Sequence, residues 1–160
     1  MNSKLIAFVL TLVPMLLFGS TLGITKQQLE TKYGSPSVKI SMGKIAGKEM
    51  VECAFTLTGT TIFSIVDNNV VEIQYSFENA SGITDAEFWG FLKKCEIGQG
   101  WVINKTTDNG TPKVVETKRT DGSTGVIIKR NTSIMAIFRL GSWLKIKEDY
   151  NQQPWYKKIF

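Results

Sequence analysis

The sequence predicts an α+β protein in which two short helices pack on one face of an antiparallel sheet. Residues 50 to 77 contain three runs of alternating apolar and polar residues separated by turn residues, which is typical of an antiparallel meander with one buried face. Two helix N-capping signals and an Asp-Gly hairpin signal lie outside this stretch. The 160 residues are 42% hydrophobic and 21% charged, as expected of one globular domain.

Residues 1–23 have the pattern of a secretory signal. Lys4 precedes an apolar run from Leu5 to Phe18, and small residues follow it. The run is shorter than the roughly 20 residues of a membrane-spanning helix, and Pro14 interrupts it. We expect cleavage after Gly23, with an uncleaved membrane anchor as the alternative. The domain then spans residues 24–160 and is exported, either to a periplasm or to the medium.

The domain is expected to begin with a helix from Lys26 to about Tyr33. Thr25 is a capping residue, and Gln28 stands three positions later, as in a capping box. Gly34 is a typical helix end. A short strand should follow at 38–42, and the meander supplies strands at 51–57, 61–66 and 71–77.

The same capping order returns before a second helix, which should start at Asp85. Thr84 is the cap, and Glu87 is its partner. An apolar stripe at helical spacing then indicates the buried side of the helix; its members are Phe88, Phe91, Leu92 and Cys95.

The rest of the chain predicts further strands. Trp101 to Ile103 leads into a polar loop at 104–113, and strands are expected at 114–120, 124–130 and 133–140, with Asp121-Gly122 as a hairpin turn. Residues 143–146 are interpreted as a last strand, and residues 148–160 as a loose tail. The halves 24–80 and 83–147 thus have a similar order, which fits either a duplicated helix-plus-four-strand unit or one continuous sheet.

Short motifs at helix ends and turns give the chain a family resemblance. They are Tyr33-Gly34-Ser35-Pro36, Thr84-Asp85-Ala86-Glu87, Trp101 and Asp121-Gly122. In this pattern the chain resembles uncharacterised small secreted bacterial proteins, and its opening helix and meander resemble SmpA/OmlA-type envelope lipoproteins and the related beta-lactamase-inhibitor-like modules. The resemblance implies a helix-and-sheet envelope module. It brings no activity, and the lipid-anchor cysteine of the SmpA/OmlA type is absent from the sequence.

Composition argues against catalysis. The sequence contains no His, the usual general base and the commonest metal ligand, and no stretch has the carboxylate spacing of a calcium loop. We therefore expect no enzyme activity, no cofactor and no metal. The net charge of +5, one unit lower without Lys4, is scattered in short pairs. It favours a weak attraction to anionic membrane surfaces and does not favour nucleic-acid binding.

The two cysteines of the sequence are candidates for a disulfide. Cys53 belongs to the inward side of a strand and Cys95 to the apolar stripe of the second helix, so both should point into one layer. An exported protein could bridge them, and two free buried thiols are the alternative.

A partner surface is expected where aromatic residues accumulate. The candidates are Trp89, Trp143, Tyr150, Trp155 and Tyr156. Aromatic and basic residues together suit a protein or an envelope polymer, although packing at the edge of the core explains them too. The functional hypothesis is an exported, noncatalytic module that binds one of these two partners. The alternative is a carrier of a small apolar ligand held between helix and sheet; the oligomeric state is left open.

Overall fold

The structure, a computed structural model, describes residues 21–57, 59–97, 100–108 and 112–153. For residues 57 and 93–97 it describes the backbone only. The described helices are α1 (Lys26–Tyr33), α2 (Asp85–Ile97) and α3 (Gly141–Gln152). The strands are β1 (Val38–Ile45), β2 (Lys48–Leu57), β3 (Gly59–Val66), β4 (Asn69–Glu78), β5 (Val102–Thr107), β6 (Lys113–Lys118), β7 (Thr124–Lys129) and β8 (Ser133–Arg139).

All eight strands form one antiparallel sheet in the order β1-β2-β3-β4-β8-β7-β6-β5. Each half of the chain contributes a helix followed by a four-stranded meander, and the last strands of the two halves pair with each other through β4 and β8. The α+β prediction is confirmed. Because the halves join at their last strands, the first strand of each half, β1 or β5, lies at an end of the sheet.

Both predicted capping boxes are formed. The Thr25 hydroxyl accepts a hydrogen bond from the Gln28 backbone N–H (3.2 Å), and the Gln28 side chain accepts one from the Thr25 N–H (2.8 Å). Thr84 and Glu87 make the same reciprocal pair at 3.2 and 2.8 Å. These bonds satisfy backbone donors that a helix start otherwise leaves free, and they fix the first residues of α1 and α2.

Helices α1 and α2 pack on one side of the sheet, which we call the helix face. Leu29 of α1, Phe88 of α2 and Phe63 of β3 have no exposed surface. Burial of each such side chain contributes roughly 1.5–3 kcal/mol. The rings of Phe91 and Tyr75 stack at a centroid distance of 5.5 Å, which seats α2 on β4.

The predicted last strand at 143–146 is wrong, because these residues belong to α3. Trp143, Ile146 and Tyr150 follow a helical spacing of three and four, and this pattern competes with the short alternation that suggested a strand. Trp143 and Ile146 pack against Val66 and Val71 on the side of the sheet opposite α1 and α2. We call that side the open face. The helix continues to Gln152, so the predicted tail at 148–160 is helical at its start, and residues 154–160 lie outside the described residues.

The polar loop predicted from Asn104 is wrong in its first part, where β5 extends to Thr107. The strand pairs with β6 and has a register shift between Ile103 and Lys105. Five of its six residues are exposed. A strand at the end of a sheet needs no buried side, so it lacks the alternation by which a strand is usually recognised.

The described fold includes residues that precede the cleavage point expected from the sequence. Thr21 is fully buried, and Leu22 is 7% exposed in the main core. The Gly23 N–H donates to the Val70 carbonyl at 2.8 Å, and the Val70 N–H donates to the Ile24 carbonyl at 2.9 Å. Within the described ranges, no helix is both long and apolar enough to cross a membrane.

Candidate functional site

The open face carries aliphatic side chains that run across the sheet in two neighbouring rows. Strand register places the members of each row side by side. The first row is Val38, Ala54, Ile62, Gln74, Ile137, Val126 and Glu116. The second is Thr56, Thr60, Ser76, Met135, Ile128 and Val114. Eight of these thirteen positions are apolar, so the surface is mixed. We call Ile62, Ile137 and Met135 its aliphatic centre.

Helix α3 covers only one end of this face. Val66 and Val71, which lie under α3, are buried at 4% and 6% exposure. Ile62 and Ile137 are half-buried, and Met135 is 39% exposed. The aliphatic centre of the open face is therefore not covered by any residue that the structure describes.

A polar row separates α3 from this aliphatic centre. Its key residue is Glu72, whose carboxylate accepts hydrogen bonds from Arg139 Nε (2.8 Å) and from Gln74 Nε2 (2.9 Å). Lys147 Nζ of α3 lies 3.8 Å from the same carboxylate. Glu72 is 6% exposed, so a buried charge is paired on both oxygens, as a stable buried carboxylate requires. These contacts connect α3 to the sheet.

The two strands at the ends of the sheet differ in their side chains. In β1, Val38, Ile40 and Met42 are 49%, 52% and 48% exposed and alternate along the strand. Register puts Val38 and Ile40 on the open face, opposite Ala54 and Glu52. In β5, Val102 and Ile103 are adjacent and so point to opposite faces. An exposed aliphatic stripe therefore runs along β1 and not along β5.

The described members of the predicted aromatic surface lie on opposite sides of the sheet. Trp143 is 1% exposed on the sheet side of α3, where Lys147 Nζ lies 5.7 Å from its ring centroid, so it is not available to a partner. Trp89 of α2 is 37% exposed and lies on the helix side, away from α3. Tyr150 is half-buried in α3. Trp155 and Tyr156 lie outside the described residues.

Trp89 belongs to a small charged cluster at the start of α2. Lys113 Nζ lies 5.4 Å from the Trp89 ring centroid and 3.0 Å from the Asp108 carboxylate. Asp85 accepts from Lys129 at 3.0 Å and lies 3.7 Å from Lys113. The hydrogen bond from Lys129, followed by the charge of Lys113, lowers the pKa of Asp85 below its ordinary value. The pKa of Glu87 is also lowered, first by the Thr84 backbone N–H. Both carboxylates are thus ionised cap and ion-pair groups.

The Asp121-Gly122 turn is a second charged position without catalytic features. Arg119 donates to the Asp121 carboxylate, and the Ser123 backbone N–H donates to it at 2.9 Å. The Arg119 hydrogen bond is the main cause of a strongly lowered pKa at Asp121. The guanidinium also lies 5.3 Å from the centroid of the Trp101 ring. The turn is fixed by these contacts and by the approach of Gly141, where a Cβ would collide with the turn backbone.

Cys53 does not form the bridge that the sequence allowed, and the side chain of Cys95 lies outside what the structure describes. Cys53 is a free thiol with 1% exposure in the core. The charged groups that act on it belong to Lys26 and Glu30 of α1 and to Lys39 of β1, whereas α2, which carries Cys95, stacks on β4. Both helices occupy the expected layer, but they lie side by side, and α1 covers Cys53. Burial raises the pKa of the Cys53 thiol, which keeps it protonated and unreactive.

The space between the helices and the sheet is filled by side chains. Tyr33, Phe55 and Phe63 contact one another with ring centroids 5.4 to 6.0 Å apart, and Trp101 lies 5.1 Å from Phe138. No three acidic, Cys or His side chains gather as a metal site would require anywhere in the described ranges. Among the described residues, the open face offers an apolar surface that no helix covers. The sequence predicts the partner surface elsewhere, on the aromatic residues.

Comparison with known proteins gives a similarity of chain arrangement only. No family model matches the chain, and a search of curated proteins finds no relative. A cysteine-rich secretory protein from Staphylococcus aureus subsp. aureus Mu50 is 14% identical with a TM-score of 0.46, over 82% of this chain and 47% of that one. An extracellular protein containing a SCP domain from Bacillus anthracis str. Ames is 11% identical with a TM-score of 0.43, over 82% and 48%. The chain spans about half the length of these two structures.

Proposed function

We propose that the protein is an exported, noncatalytic module that binds another protein through the open face. The observation that carries the proposal is the aliphatic centre of that face, formed by Ile62, Ile137 and Met135, which stays half-exposed while Val66 on the same face is covered by α3. Apolar surface left next to charged groups is typical of protein interaction sites.

The chemistry of the face favours a protein partner over an envelope polymer. Its exposed side chains are mainly aliphatic, with Gln74 between Ile62 and Ile137 and with Glu116 and the Glu72–Arg139 pair at the margins. Binding of a glycan relies on flat aromatic rings together with hydrogen-bonding groups. Of the aromatic residues expected to form such a surface, Trp143 is buried. Export is supported by the signal-like pattern of residues 1–23.

Site-specific photo-cross-linking in the cell that produces the protein tests the proposal. A photo-reactive amino acid is placed at Ile62 or at Ile137, and, as a matched control, at Gln27, which is exposed on α1 of the opposite side. We expect a discrete protein adduct from the two positions on the open face and not from Gln27. An adduct with a heterogeneous polymer, or equal labelling at all three positions, would contradict the proposal.

A charge introduced on the face provides an independent measurement. Ile137→Lys should weaken binding of the cross-linked protein, once purified, at least about tenfold, because a lysine at the centre of an apolar contact must be desolvated. Gln27→Lys adds the same charge outside the face and should leave the affinity unchanged. Equal affinities for both variants would show that the open face is not the binding surface.

A further inference from the structure

We propose that two copies of the chain pair through β1, edge to edge, about a two-fold axis that passes Ile40. The resulting dimer would have one continuous sheet, with both open faces on the same side. This inference concerns the end of the sheet and does not depend on the partner proposed for the open face.

The first argument is the unusual exposure of β1. Seven of its eight residues are exposed, and the open-face side of the strand presents Val38 and Ile40 at about half of their full exposure. A strand at a sheet edge is a template for another strand, and soluble proteins usually protect such edges with charges, prolines or short length. Along residues 38–41 the open-face side of β1 carries neither a charge nor a proline, and the register shift of this strand begins only after Ser41.

The second argument is that the lysines of β1 lie on the other face. Lys39 is opposite Cys53 and Lys44 is opposite Glu49, and both of these β2 residues lie on the helix face of the sheet. A second copy approaching the edge therefore meets an uncharged aliphatic stripe on the open face. The lysines remain at the margin of the helix face, where water solvates them.

The third argument is register, which selects one self-pairing. A two-fold axis at Ile40 places Ile40 beside its own copy, Val38 beside Met42 of the second copy, and Lys39 beside Ser41 of the second copy. The Ile40 pair lies in the regular part of β1, and Met42 lies at the register shift that follows Ser41. Cross-strand aliphatic pairs contribute roughly 0.2–1 kcal/mol each. An axis at Lys39 would oppose two like charges, which is unfavourable. The other edge strand offers no equivalent, because Val102 and Ile103 point to opposite faces.

The size of the contact predicts a moderate affinity. One strand pair buries less surface than the roughly 1,600 Å² of a standard interface, so we expect a dissociation constant of about 10–100 μM. Sedimentation velocity of the exported protein, with its own processed N-terminus, measures this over a concentration series. A protein that is monomeric up to about 1 mM would overturn the proposal.

Matched variants locate the contact. Ile40→Lys places two like charges at the axis and should weaken dimerisation at least about tenfold. Val102→Lys is the control, because Val102 is 51% exposed, lies on the other edge strand, and points to the open face opposite Lys118. Equal effects of the two variants, or a loss only with Val102→Lys, would overturn the assignment to β1.

Disulfide trapping tests the register even if a charged variant folds poorly. Residues directly opposite in an antiparallel pair have Cβ atoms about 4.5–5.5 Å apart, which brings their cysteine variants close enough to bridge. Ile40→Cys should give a covalent dimer under mild oxidation, whereas Lys39→Cys and the unaltered protein should not. Trapping at Lys39→Cys instead would refute the axis at Ile40. Photo-cross-linking tests partner binding by the open face, and these measurements test dimerisation through β1. The two proposals can therefore fail independently.

Discussion

Removal of residues 21–23 should destabilise the fold, although the sequence favours cleavage after Gly23. Leu22 is 7% exposed among the residues of the main core, and Thr21 is fully buried. The Gly23 N–H donates to Val70 at 2.8 Å and ties this segment to the start of β4. A chain that begins at Ile24 would lose all three contributions.

The size of the effect follows from burial and hydrogen bonding. Burial of a leucine side chain contributes roughly 1.5–3 kcal/mol, and one backbone hydrogen bond about 0.5–1.5 kcal/mol. We therefore expect a loss of about 2–4 kcal/mol, a large part of the roughly 5–15 kcal/mol that stabilises a typical domain.

Urea unfolding of two chains, one starting at Thr21 and one at Ile24, measures this difference. Leu22→Ala in the longer chain should reproduce about 2 kcal/mol of it, because it removes most of the buried side chain. Gln27→Ala, at an exposed position of α1, should change stability by no more than about 0.5 kcal/mol. Equal unfolding midpoints for the two chains would refute the reasoning. If the loss is observed, the mass of the protein isolated from the cells that produce it should show cleavage before Thr21 or retention of the segment.

Three further predictions concern single positions. Gly125→Ala should destabilise the protein by about 1–3 kcal/mol, because a Cβ at this position would lie 2.7 Å from the ring of Phe138 in the core. Gly90→Ala should instead stabilise the protein by about 0.5–1 kcal/mol, because this position of α2 has open space for a Cβ. Thermal or urea unfolding measures both changes. Asp121→Asn should cost roughly 0.5–1 kcal/mol at pH 7, because the lowered pKa of this half-exposed carboxylate reports a favourable interaction of its charged form. That contribution is fully present above the unfolded pKa of about 3.9 and is lost as the pH falls towards the lower folded pKa, so the difference between variant and parent should vanish in acid. Alkylation of the denatured protein without reductant should add two alkyl groups, because Cys53 is a free thiol and the chain has only two cysteines; no addition would show that a bridge forms.

Local signals in the sequence predicted the first and second helices well. The α1 boundaries agree with the capping box at Thr25 and the stop at Gly34, whose φ is +80°. The same holds for the start of α2 at Asp85. These features are decided by hydrogen bonds among residues three or four positions apart, so the sequence contains all the information that they need.

Elements that depend on distant neighbours were predicted less well. The cap position of α3 is Leu140, which makes no side-chain capping bond, and the helix is held by the contact of Trp143 with Val66 and Val71. The Cys53 thiol is covered by α1 because the two helices lie side by side over different strands. A pattern along the chain indicates that a residue faces inward, but it does not indicate which element lies above it.

The pair Ile62 and Val66 shows how this limit bears on function. Both residues belong to β3 and lie on its open-face side, and alternation in the sequence treats them alike. Val66 is 4% exposed because Trp143 and Leu140 pack near it, whereas Ile62 is half-buried, with Gln74 between it and Ile137. Stability accounts for the aliphatic residue at Val66, since α3 removes it from water. Stability does not account for the aliphatic side chain of Ile62, because a polar side chain would be equally stable at this uncovered position of the sheet. A partner that covers the aliphatic centre of the open face would bury both by the same physical effect, and this makes Ile62 the more informative position for the cross-linking experiment.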